Sequence, residues 1–320
     1  MSNDAIVGTA VQVVLVSVLA PTVIGVTRQA RARLEGRAGA GWWQPYRDLR
    51  KLLRKQSLRP HGTTIVFAAA PVFVAATALA AAGLVPIVVA APSTTRIGDL
   101  FAVVGLLLLG TVMLTLAGLD TGTAFGGMGA SRSITLAALV EPSLLLAVFA
   151  LSVPVRSTSL TAIVTSVAAH PATVARPGAV LAGAALVVTA LAETGRLPID
   201  NPATHLELTM VHEAMTLEYA GSRLAVLEWA SALRLTVLLA LLVNLFWPAG
   251  IAIHTVTTAS LLLATVAVTA KVAALAAVLA CAEVFLAKLR LFRVPELLAG
   301  AFLLGLLAVS ASSLLSVTAG

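Results

Sequence analysis

The sequence predicts an all-α polytopic membrane protein of about eight transmembrane helices. An amphipathic cytoplasmic helix follows the first span and an acidic helical loop follows the fifth. Three observations carry this. Hydrophobic residues make up 59% of the 320-residue chain and charged residues only 11%, against roughly 25% charged in soluble domains. Mean hydropathy is +1.00. Apolar runs near the ~20 residues that cross ~30 Å of hydrocarbon recur along the whole length, so residues 1–320 read as a single membrane domain with no space for a soluble one.

The first run, about 5–27, is not preceded by a basic n-region and reads as a retained helix rather than a cleaved signal. The loop after it holds Arg28, Arg31, Arg33, Arg37, Arg47, Arg50, Lys51, Arg54, Lys55 and Arg59, ten of the 21 Lys and Arg. Within it, residues 44–58 (QPYRDLRKLLRKQSL) place Leu49, Leu52 and Leu53 among bases, the pattern of a helix lying at lipid headgroups. Spans of about 64–90 and 98–119 follow. The segment 120–132, DTGTAFGGMGASR, lacks the spacing and lysine of a phosphate-binding loop and reads as a tight connector.

The fourth span, about 133–154, carries Glu141 immediately before Pro142. Proline removes a backbone donor and opens the helix locally to water or another polar group. The fifth, about 178–194, is the shortest and runs into the acidic segment at Glu193. The sixth, seventh and eighth lie at about 230–247, 256–280 and 297–317, and Lys271 sits well inside the seventh. A buried ion pair or a side chain reaching toward the interface is the plain alternative for such residues, and it suits the long stem of Lys271 better than Glu141.

Orientation follows from basic residues in short loops. With the arginine-rich loop in the cytoplasm, Arg132, Arg196, Arg223, Lys288, Arg290 and Arg293 fall there too, and only Arg96, Arg156 and Arg176 fall opposite. Both termini are therefore expected on the non-cytoplasmic side of the cell inner (plasma) membrane. This clustering in one loop between spans also argues against nucleic acid as the partner of a chain with net charge +7. The single cysteine, Cys281, excludes an internal disulfide and a cysteine-ligated iron–sulfur cluster.

The most informative stretch is ETGRLPIDNPATHLELTMVHEAMTLEYAG, which begins at Glu193 and adds Asp200, Glu207, Glu213 and Glu218. Carboxylates beside hydrocarbon are costly unless paired, hydrated or protonated, so such a cluster marks function by default. Asn201 and Pro202 suit a helix start, and a helix over about 202–219 is expected, with Gly221 as its stop. At 100° per residue Glu207 and Glu218 fall within ~20° of one another, with Glu213 on another face. Rows of this kind suit a proton relay, because each carboxyl donates or accepts according to its protonation. A solvated acidic face of a loop helix is the plain alternative; Glu193, at the end of a span, weakens it. Metal is not expected. His205, Glu207, His212 and Glu213 are metal-capable, but His212-Glu213 lacks the second histidine of a zincin, and seven residues of helix separate the histidines by ~10 Å. Arg196 and Lys271 are candidate modulators of the acids' charge.

At these residues, and in ARLEGRAGAGWWQPYRDLRKLLRKQ and SRSITLAALVEP, the chain resembles the membrane subunit of formate hydrogenlyase and hydrogenase-4 type complexes. These are relatives of subunit 1 of respiratory complex I, and THLELTMVHEAMTLEY favours the hydrogenase branch. The resemblance covers essentially the whole chain. It implies an eight-helix, non-catalytic subunit between a peripheral redox arm and antiporter-like membrane subunits, coupling electron transfer to proton or sodium movement. It implies iron–sulfur clusters and a nickel–iron site in peripheral and hydrogenase-like large partner subunits, and no cofactor in this chain. By motif match, Glu141, Glu193, Asp200, Glu207 and Glu218 fall on an acidic path and its cytoplasmic loop, Glu213 belongs to the hydrogenase version of that loop, and Arg37, Gln44, Arg47, Asp48 and Lys51 fall where relatives seat the peripheral arm. Ser133 departs from the pattern, since an acid commonly follows Ser-Arg there. Two rival readings stand beside this one: a quinone-binding subunit of an NADH–quinone oxidoreductase-type complex, and a stand-alone secondary transporter using Glu141 and Lys271. The transporter reading expects inverted repeats and broken helices, which the sequence does not display.

Overall fold

In the computed structural model, residues 3–90, 98–196, 211–253, 257–286 and 293–318 are described. Among them, seven helices are long and apolar enough to cross a membrane: α1 (Asn3–Leu34), α3 (Ile65–Leu84), α4 (Leu100–Asp120), α5 (Ala124–Ser152), α9 (Gly221–Phe246), α10 (Thr258–Phe285) and α11 (Val294–Thr318). The fifth expected span is α7 (Pro177–Glu193), an apolar helix of 17 residues, or about 25 Å. Shorter helices are α2 (Gln44–Leu53), α6 (Leu160–Ala169) and α8 (His212–Thr216).

Successive spans run in opposite directions. At the end of the bundle where α1 finishes, the arginine-rich loop and α2 lie beside the starts of α3, α5, α9 and α11. There Asp120, last residue of α4, accepts from the Thr64 and Phe67 N–H groups at 2.8 and 3.1 Å and so caps α3. A helix end has unmet donors, and a carboxylate at the N-terminus meets them. Thr64, Asp99 and Thr123 cap their own helices α3, α4 and α5, and Thr257 with Ser260 forms a capping box on α10. At the far end, Gly178 at the start of α7 packs against Ser312 of α11.

The helices meet through small residues: Ala20, Ala78, Ala81, Ala147, Ala150, Ala182, Ala185 and Ala276 are all fully or nearly fully buried. Lipid offers no hydrophobic drive to pair helices, so close backbone approach and dispersion contacts hold the bundle. α5 packs between α4, α7 and α11, and α9 packs on α1, α3, α10 and α2. α10 and α11 leave outward faces of Leu262, Leu263, Val266, Leu303 and Leu307 exposed, as suits contact with lipid.

Three stretches differ from the sequence reading. The run 64–90 is a helix only to Leu84, because Pro86 biases Val85 away from helical geometry. Val85 and Ile87–Ala90 then lie buried off the helix. Gln12 and Asn244 supply the lost hydrogen bonds: the Gln12 carboxamide accepts from the Ile87 and Val88 N–H groups, and Asn244 donates to the Pro86 and Ile87 carbonyls, all at 3.0 Å. Non-helical backbone at this depth persists only when it is satisfied inside protein. The glycine-rich connector shrinks to a turn at Thr121–Gly122, since Thr123 already caps α5. Gly221, expected to stop a helix, opens α9 instead, with φ +60° and its α-carbon against the Lys55 and Gln56 carbonyls, where a side chain has no space.

Candidate functional site

α7 delivers Glu193 as its last residue. Gly195, at φ +59°, takes the left-handed turn that ends a helix, and the Arg196 N–H closes back onto the Leu191 carbonyl at 3.0 Å. This places Glu193 on the inside and turns Arg196 toward α10. There Arg196 Nη1 donates to Glu283 Oε1 at 2.7 Å, with side-chain exposures of 16% and 7%.

Glu193 has a partner that the sequence reading does not single out. Arg234 of α9 donates through Nη2 to Glu193 Oε1, to Thr111 Oγ1 at 2.7 Å and to the Leu107 carbonyl at 3.0 Å. Glu193 and Arg234 are each 8% exposed. A guanidinium held simultaneously by a carboxylate, a hydroxyl and a carbonyl meets the condition for burying an ion pair, namely extra hydrogen bonds around it. Arg234 Nε is nevertheless buried without a partner among the described residues.

Glu141, on α5, is 5% exposed, and among the described residues neither of its carboxyl oxygens has a hydrogen-bond partner. It lies within electrostatic reach of both Glu193 and Arg234. Next to it, Pro142 removes one helix donor, and the Ser143 hydroxyl bonds the Leu139 carbonyl at 2.6 Å. The structure therefore gathers two acids and one arginine from α5, α7 and α9 into the polar centre of the bundle.

From this centre a cavity of about 480 Å³ extends to the arginine-rich end. Glu193 and Arg234 stand in its wall with Arg196, Glu283, His212 and Glu213; nearer the surface lie Arg28, Arg31, Glu228 and Ser231. Glu228 and Ser231 are exposed. Glu141 does not line this cavity. Of the two buried acids, Glu193 is thus reachable from the cavity and Glu141 is shielded from it.

Other expected residues divide. Glu213 stands on α8 in the cavity wall, while Glu218 follows α8 and is half-buried. Asp200 and Glu207 lie outside the described residues, as does most of the helix expected over 202–219; its described part is helical only over His212–Thr216. Tyr219 stacks on Phe67 with ring centroids 4.0 Å apart and donates to the Phe67 carbonyl at 2.9 Å, and burial pushes its hydroxyl well above the usual phenol range. Lys271 stands apart from the acids. Its ammonium donates to Asn244 Oδ1 at 3.0 Å and to the Trp247 and Ala249 carbonyls at 3.1 and 2.9 Å, at the far end of α9. Ser133 is buried within α5.

On the first loop, Asp48 takes Gln44 Nε2 at 2.9 Å and Arg28 at 3.7 Å, which fastens α2 to α1. Arg47, Arg50, Lys51 and Arg54 face outward. Arg37 is exposed and pairs with Glu35, whose carboxyl Arg31 and then Arg37 hold below the usual carboxylate range. Arg234 and Glu283 are the residues of this site that the sequence reading misses. Their signal is present in the sequence, since a charge inside or at the end of an apolar span is exceptional. Among the described residues no cluster of three metal-capable side chains occurs.

Comparison with known proteins identifies the family and the fold. A family model described as NADH dehydrogenase matches residues 7–313. The chain is 35% identical over 287 residues to formate hydrogenlyase subunit 4 of Escherichia coli (strain K12), covering 90% of this chain and 92% of that protein. It is 35% identical over 242 residues to hydrogenase-4 component C of the same organism, covering 75% and 74%. Among solved structures, a chain of the membrane-bound sulfane sulfur reductase, an archaeal respiratory membrane complex, superposes with TM-score 0.81 at 17% identity, covering 97% and 99%. That likeness is one of fold.

Proposed function

This chain belongs to the NADH dehydrogenase family, the family of complex I subunit 1, on the side of the formate hydrogenlyase and hydrogenase-4 membrane subunits, and from that premise we propose its function. It is the integral membrane subunit of a complex-I-like, hydrogenase-type redox assembly. It seats a peripheral arm on its arginine-rich end and couples electron transfer there to proton or sodium movement through the membrane. The arm brings the iron–sulfur clusters and the hydrogenase-like large subunit, and antiporter-like subunits continue the path in the membrane. The arginine-rich end faces the cytoplasm, both termini lie on the other side, and the whole chain is one membrane domain.

The observation that carries the reading is the polar cavity that ends at Glu193 and Arg234, with Glu141 unpaired behind them. A buried carboxyl with no bonded oxygen costs stability, several kcal/mol on the scale of unmet buried polar groups. A scaffold does not need it, whereas a group that must change its charge state does. The exposed bases of α2 give the arm an electrostatic seat.

The test is ion movement in sealed vesicles holding the whole complex. Glu141→Gln and Glu193→Gln are expected to leave the complex assembled and to lower the ions moved per electron. Normal pumping by both variants removes the coupling assignment.

A further inference from the structure

We propose that Arg234 is a two-position counter-ion switch: its guanidinium pairs with Glu193 when Glu193 is charged and crosses to Glu141 when Glu193 is protonated. The inference deepens the coupling reading and rests on it for its purpose, but not for its geometry.

Three observations support it. The guanidinium spends its Nη2 donors on the Glu193 carboxylate, the Thr111 hydroxyl and the Leu107 carbonyl. Its Nε is buried with no acceptor, so a donor remains unspent in the one place where donors are scarce. Glu141 is the complementary defect: two buried acceptor oxygens with no donor, within electrostatic reach of Arg234. An unspent donor and two unspent acceptors in one buried centre are the marks of an alternative pairing.

The charge ledger is closed. In the first state Glu193 is a carboxylate bonded to the guanidinium and Glu141 is a carboxylic acid, the form an apolar pocket tolerates. In the second, Glu193 is the acid and Glu141 the carboxylate bonded to the guanidinium. One proton moves from a Glu141 oxygen to a Glu193 oxygen while one guanidinium moves the other way, so each state holds one positive and one negative charge and neither buries a net charge. Of the two acids only Glu193 lines the cavity, so a change on that side reaches Glu193 first, and the crossing of Arg234 passes it to Glu141. Arg234 takes no proton itself, which suits a side chain charged at every working pH; it is a positioning residue.

The experiment uses the complete complex, purified with its partner subunits, and the variant Glu193→Gln, which keeps size and polarity but cannot carry charge. A structure of that complex is expected to show the Arg234 guanidinium hydrogen-bonded to Glu141. In infrared spectra, the carboxylic-acid carbonyl band that disappears in Glu141→Gln is expected to be missing from Glu193→Gln also, because Glu141 is ionised there. If Arg234 stays on Thr111 and Leu107 and the acid band persists in Glu193→Gln, the switch is overturned. The two readings fail separately. Lost ion movement with an unmoved guanidinium leaves coupling intact and ends the switch. A guanidinium that crosses in Glu193→Gln, with Glu141→Gln and Glu193→Gln both pumping normally, ends the coupling reading and leaves the switch.

Discussion

The ion pair between Glu193 and Arg234 sets the stakes for single residues. Both groups are buried, and removal of Arg234 leaves Glu193 charged with no compensation. Arg234→Ala is expected to destabilise the assembled subunit by about 3–5 kcal/mol, read as a fall in the melting temperature of the purified complex or in the amount of subunit recovered. Glu193→Gln should cost much less, because Glu141 remains within electrostatic reach to balance the Arg234 charge. Equal loss in the two variants would mean that the pair is not what holds this centre. Lys271 illustrates a different use of charge. Its three acceptors are neutral oxygens, two of them carbonyls just past the end of α9, where the helix dipole favours a cation.

Among elements, α2 is the proposed seat of the peripheral arm. Its inner side is fixed by Pro45, by Asp48 to Arg28, and by the Tyr46 hydroxyl to the Val18 carbonyl and Thr22. That leaves Arg47, Arg50, Lys51 and Arg54 as a basic stripe beside exposed Trp42 and Trp43. Reversing two of these charges changes the field on the outer face without touching the bonds on the inner one. Arg47→Glu with Lys51→Glu is therefore expected to release the peripheral arm during purification while leaving the membrane subunit folded. Retention of the arm at high salt would show that the stripe meets lipid alone, since exposed charge pairing is screened within a Debye length of about 8–10 Å.

The whole molecule has polar chemistry at one end. The cavity, Arg196–Glu283, α8 and the basic stripe share the arginine-rich end, whereas Lys271, Asn244 and Gln12 secure the opposite one. If that first end faces the cytoplasm, single cysteines placed at Arg50 and Arg156, in a chain whose native Cys281 is replaced by serine, should label from opposite sides of the membrane. Arg50→Cys should react from the cytoplasmic face only. Labelling of both from one side, or the reverse assignment, would invert the orientation.

The sequence by itself determined that the chain crosses the membrane as helices, because ~20-residue apolar runs leave the backbone no other way to satisfy its hydrogen bonds in lipid. It also singled out Glu141 and Glu193 as candidates, because an acid in such a run is expensive wherever the run folds, and the structure buries both. It could not set where a helix ends under tertiary control: Gln12 and Asn244 hold the backbone at Ile87 off the helix from more than 70 residues away, and no local pattern encodes that. Nor could it tell that Arg234 would answer Glu193 while Glu141 remained unanswered. A charge announces its own cost in one dimension, but its partner is chosen by the packing of α5, α7 and α9, and only three dimensions bring those helices to one point.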